Sequence, residues 1–94
     1  MRVISRKATR DFGKEHAGSV PSLSNWLGIT RKAKWRDFTE VRKDFGSADQ
    51  VGRRTVFNIG GNKYHLIARV NYRTQRVFVL HIMTHKEYLK GDWK

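Results

Sequence analysis

The hydrophobic residues of this chain change their period partway along it, and that change limits the folds open to it. Up to Phe45 apolar side chains recur every three or four residues, the spacing of one helix face; beyond Arg53 they alternate, the spacing of a strand with two unlike faces. Helices in one block followed by strands in another define an α+β domain, with the N-terminal helices packed on one face of a mostly antiparallel sheet. The opposite face of that sheet is then available to a ligand.

The local signals support this reading. Residues 2–4 form a short strand, and Ser5 is placed to cap a helix running to about His16, with Ala8 and Phe12 on its buried side. Gly18 and Ser19 interrupt the chain. Pro21 suits the first turn of a second helix in which Leu23, Trp26, Leu27, Thr30 and Ala33 share a face. Asp37 and Glu40 have capping-box spacing for a third, short helix carrying Phe38, Val41 and Phe45, which Gly46 ends. Thr55, Phe57 and Ile59 alternate along a strand, Gly60-Gly61-Asn62 turns it, and a second strand runs from Lys63 to about Asn71. Tyr72 to Gln75 reverse the chain again before the apolar run Val77–Met83, read as a buried central strand.

Length and charge narrow the function. Ninety-four residues make one domain, 1–94, too small to enclose a large internal cavity, so chemistry belongs on an open face. Twenty Lys and Arg against eight Asp and Glu leave a net charge of +12, a self-repulsion that a polyanion relieves. Nucleic acid fits that requirement better than a membrane surface, because no apolar run is long enough to span a bilayer. No signal peptide is evident, so the chain is expected to be cytoplasmic, and without cysteine it has no thiolate for a metal or a nucleophile.

The candidate chemistry gathers in the sheet. His65, Arg69 and Asn71 share one side of their strand, a polar stripe suited to a phosphate backbone. At Thr84-His85-Lys86-Glu87-Tyr88 a buried strand ends and several acid–base groups appear together at the rim. RNA can be cut there without a metal if its 2′-hydroxyl attacks the adjacent phosphorus. That reaction needs a base, a cation against the developing charge and an acid for the leaving 5′-oxygen. His85 serves as base or acid, Lys86 and Arg69 as charge stabilisers, and Tyr88 as a donor or a stacking surface. Arg53, Arg54, Asn58, Lys63, Asn71 and Arg73 are assigned to holding RNA. His81, inside the apolar run, reads as a hydrogen-bonded core residue; its spacing to His85 lacks a third metal ligand, so neither metal nor cofactor is expected. Trp26 and Trp35 belong to the core, whereas Trp93 either caps the fold or stacks on RNA.

Met1-Arg2-Val3-Ile4-Ser5, the stretch from Val56 to Tyr64, and Thr84-His85-Lys86-Glu87-Tyr88 together resemble the HigB family of type II toxins, over nearly the whole chain. The resemblance implies a small RelE-like α+β fold and metal-independent, ribosome-dependent cleavage of translated mRNA. Its implied partners are the ribosome, mRNA and a HigA-like helix-turn-helix antitoxin, through which alone DNA would be bound. His65 and Leu80 depart from the pattern, standing where that family commonly has Arg. The catalytic set is therefore expected either to lean more on Arg69 and Lys86 or to use His65 as an acid–base group. The competing expectation is a non-catalytic basic module that inhibits translation by occupying ribosomal RNA.

Overall fold

A computed structural model of the chain describes residues 1–4 and 6–93; the expected cap at Ser5 lies outside them. The elements follow in the order β1 (Arg2–Ile4), α1 (Arg6–Glu15), a 3-10 turn (Ala17–Ser19), α2 (Val20–Lys32), α3 (Phe38–Asp44), β2 (Asp49–Val51), β3 (Arg54–Ile59), β4 (Tyr64–Asn71), β5 (Arg76–Thr84) and α4 (His85–Lys90). No helix among them is long and apolar enough to cross a membrane.

The helical block buries the face that its spacing specifies. Leu23, Trp26 and Thr30 of α2 are buried, with Leu27 packed beside them. Ala8 and Phe12 of α1 meet the same core. Asp37 caps α3 by accepting from the Glu40 backbone N–H at 3.1 Å. The reciprocal half of the expected capping box is absent, because the Glu40 carboxylate instead accepts from the backbone N–H and Nε of Arg36. An aromatic nucleus joins the layers: Phe57 of β3 meets Trp26 and Phe45 edge-on, at 5.4 and 5.2 Å between centroids, and stacks on Trp35 at 6.3 Å.

The sheet has five strands in the order β1-β5-β4-β3-β2, one more than expected from the sequence, the addition being β2. Every neighbouring pair is antiparallel except β1 with β5, which are parallel with Arg2 opposite Arg76. Gly60 and Gly61 turn β3 into β4 at φ of 63° and 71°, a region that suits a residue without Cβ. Asn71 Oδ1 accepts from the Thr74 backbone N–H at 3.1 Å and shapes the next turn.

The run read as a uniformly buried strand is not uniform. Ile67 of β4 pairs with His81 and Ala68 pairs with Val79, leaving Leu80 as an extra residue in β5. That bulge reverses the alternation. Val77 and Val79 face the helices before it and Ile82 does so after it, while Met83 joins a second apolar cluster with Val56, Ile67 and Trp93. Leu80 is consequently 41% exposed, and His81, expected in the core, is exposed as well.

Candidate functional site

The second cluster lies on the sheet face away from the helical core, so that face is only partly open. Arg54 anchors the chain end there by donating through Nη1 to the Trp93 carbonyl. The Trp93 indole Nε1 donates to the Tyr88 carbonyl at 3.1 Å, and its ring stacks on that of Tyr88 with centroids 5.1 Å apart. Tyr88 in turn stacks on His65 at 4.1 Å. Trp93 thus caps the fold at 6% exposure, which resolves the alternative posed by its sequence position. His65, expected on an exposed stripe, lies beneath Tyr88 at 3% exposure.

A short helix carries the rim residues. Its first residue, His85, is tied to the sheet by donating its backbone N–H to the Lys63 carbonyl at 3.0 Å. Thr84 and Glu87 form a reciprocal capping box, with Thr84 Oγ1 accepting from Glu87 N and the Glu87 carboxylate accepting from Thr84 N. The Thr84 backbone N–H and then its hydroxyl hold the Glu87 carboxyl below its ordinary pKa. Gly91, at φ 75°, ends the helix in the left-handed conformation.

This arrangement brings two imidazoles together. His85 Nδ1 lies 2.8 Å from His65 Nε2, and His65 Nδ1 lies 2.9 Å from Asn58 Oδ1. His65 sits opposite Asn58 on one side and Met83 on the other, so adjacent strands fix its position. Burial chiefly, and then the neighbouring His85, push the His65 pKa below 6.5, favouring its neutral form. His85, by contrast, is exposed, with Lys86 exposed beside it.

The other expected residues are more dispersed. Arg69 is exposed four residues along β4 from His65, about 13 Å at the usual strand rise. Asn71 and Arg73 lie farther along, at the opposite end of the sheet, with the Asn71 side chain engaged in its turn. Arg53 is exposed in the turn between β2 and β3, and Lys63 is exposed at the start of β4. His81 lines a pocket of about 390 Å³ with Met83, Glu87, Lys90 and Trp93.

Two features had escaped the sequence reading. Asn58 binds an imidazole, and a cationic groove of about 680 Å³ gathers Arg2, Arg31, Lys34 and Arg36 around Gln75. A contiguous sequence window cannot reveal that groove, because its residues come from β1, the end of α2, the connection from α2 to α3 and the β4–β5 hairpin. The His65–His85 contact also joins distant parts of the chain. The helix presenting His85 was more accessible: Thr84 and Glu87 stand at capping-box spacing in the sequence itself.

The profile of a family described as the RelE-like toxic component of a toxin-antitoxin system matches residues 19–91 of this helix-backed, five-stranded α+β fold. The chain belongs to the HigB toxin family. It is 29% identical over 91 residues to the mRNA interferase toxin HigB of Escherichia coli K12, covering 94% of this chain and 88% of that protein. The mRNA interferase HigB of Shigella flexneri matches to the same extent. An mRNA interferase HigB of Escherichia coli O6:H1 is 27% identical over 93 residues, covering 96% and 90% of the two chains.

Proposed function

We propose that this chain is an mRNA endonuclease acting in the cytoplasm on messages held by the ribosome, and that a HigA-like antitoxin neutralises it. The observation that carries this reading is the 2.8 Å pairing of His65 with the exposed His85 at the rim of a strongly basic sheet. Relatives named mRNA interferases, matched along nearly the whole chain, point the same way.

The reaction needs only groups the chain supplies. An imidazole removes the proton of a ribose 2′-hydroxyl, the 2′-oxygen bonds to the adjacent phosphorus, and the bond from phosphorus to the 5′-oxygen breaks. The Lys86 ammonium gives the departing oxygen its proton and, before that, opposes the charge gathering on the phosphoryl oxygens. The products are a 2′,3′-cyclic phosphate and a 5′-hydroxyl. Arg69, with Arg53 in the β2–β3 turn and Lys63 at the start of β4, holds the strand through its phosphates. Arg54, Asn58 and Asn71 serve this surface mainly by fixing Trp93, His65 and the β4–β5 turn.

Primer extension on a translated message tests the proposal. Expression of the chain should create discrete new 5′ ends, and the paired substitutions His85→Ala and Lys86→Ala should remove both those ends and growth arrest while antitoxin binding persists. Growth arrest on an uncut message would instead identify a non-catalytic blocker of ribosomal RNA.

A further inference from the structure

The hydrogen bonds behind His85 determine which of its nitrogens is available to a substrate. Asn58 Oδ1 has only lone pairs to offer, so His65 Nδ1, 2.9 Å away, donates to it. A neutral imidazole carries a single N–H. With that proton on Nδ1, His65 Nε2 is an acceptor, and His85 Nδ1, 2.8 Å away, must donate to it. Burial supports the neutral form of His65, as does the repulsion a second charge would meet from His85.

We infer that Asn58, acting through His65, is a positioning residue that holds His85 in its Nδ1–H tautomer, leaving the His85 Nε2 lone pair as the acceptor of the ribose 2′-hydroxyl proton. The role of Nε2 rests on the nuclease reading; the tautomer itself does not. When the 2′-O–H bond breaks and its proton passes to Nε2, His85 becomes an imidazolium whose Nδ1–H still donates to His65. That bond is then charge-assisted and stronger than in the resting state. The relay therefore favours the state in which the proton has moved, the requirement for a contribution to rate.

The neutrality of Asn58 is central to this arrangement. A carboxylate in its place would favour protonated His65, which would donate from Nε2 to His85 Nδ1. His85 would then carry its own proton on Nε2, where the substrate proton has to arrive. Asn58→Asp, which strengthens the electrostatic contact with His65, should consequently yield the poorer catalyst.

Long-range ¹H–¹⁵N spectra of the histidine side chains read the tautomers directly. At about pH 8, where ordinary imidazoles are neutral, wild-type His85 should be protonated at Nδ1 and bare at Nε2. Asn58→Asp should move the His85 proton to Nε2, and Asn58→Ala should give a mixture. On a translated message Asn58→Asp should lower kcat/KM about 100-fold or more, with the melting temperature little changed. A wild-type His85 protonated at Nε2 overturns the inference without recourse to any variant. The same tautomer in wild type and both variants also overturns it. The expected tautomers in a protein that leaves translated RNA whole would uphold the relay and overturn both the nuclease reading and the assignment to Nε2.

Discussion

The ring of Tyr88 lies on the imidazole of His65 with centroids 4.1 Å apart and planes inclined by 25°. This contact joins α4, which has no buried residue and leaves Leu89 69% exposed, to the middle strand of the sheet. The helix that presents His85 is held by stacking, its caps and the Trp93 anchor more than by an apolar face of its own. Tyr88→Ala removes two stacked pairs and should cost about 1–3 kcal/mol in urea unfolding. RNA cleavage should fall further than that instability explains, because His85 loses its fixed relation to His65.

Substitution of Thr84 provides a milder test of the same dependence. Thr84→Ala deletes the N-cap acceptor of α4 and should destabilise the protein by about 1 kcal/mol. Cleavage by the folded fraction should also decline. Unchanged cleavage in a stably folded Thr84→Ala protein would show that the capping box does not position the site.

His65 makes stability depend on pH in a defined direction. Its folded-state pKa lies below the unfolded value of 6.5, so near and below that value the unfolded chain binds more protons than the native state. The corresponding stability is present above about pH 6.5 and is lost as pH falls toward the depressed folded value. Melting temperatures should therefore drop between about pH 7.5 and 5.5, and His65→Phe should flatten that part of the profile. Glu87, with its pKa lowered from 4.5, adds a separate loss at more acidic pH.

The cationic groove lined by Arg2, Arg31, Lys34 and Arg36 should contribute to non-specific RNA affinity. Lys34→Gln, on an exposed residue outside any helix, should weaken binding to a single-stranded oligonucleotide at low salt. The slope of log affinity against log salt should fall by about 0.7 if one phosphate contact is lost. An unaltered slope would mean that RNA does not reach this end of the sheet.

Deleting Leu80 removes the bulge and returns β5 to strict alternation. Val79 would then be followed directly by His81, with Ile82 still on the helical side and Met83 still in the second cluster, because the partners on β4 already alternate in that order. Circular dichroism should show the variant folded; a largely unfolded chain would show that the fold needs the extra residue.

Much of this architecture was legible in residue spacing, and the exceptions have physical causes. Trp26, Val41 and Phe57 repeat at intervals that local backbone geometry converts directly into a buried face. β2 is too short and polar to announce itself, since Asp49 and Gln50 gain their strand conformation by pairing with Val56 and Thr55. His81 was misplaced because one unpaired residue in β5 inverts every later side chain, and apolar composition does not register such an insertion. At the site, Thr84-His85-Lys86 was recognisable as a strand end where acid–base side chains gather. The burial of His65 was not, because it depends on Tyr88 and Trp93 returning across the sheet from later in the chain.

The parallel pairing of β1 with β5 bears on when the protein matures during translation. Arg2 waits for Arg76, and Ile4 for Phe78, so β1 cannot take its place until β5 has left the ribosomal tunnel. The β3–β4 hairpin, whose partners are near neighbours in sequence, is the natural nucleus in the meantime. The imidazole pair assembles on the same schedule, since His85 follows β5 in the chain and meets His65 only once that strand has emerged.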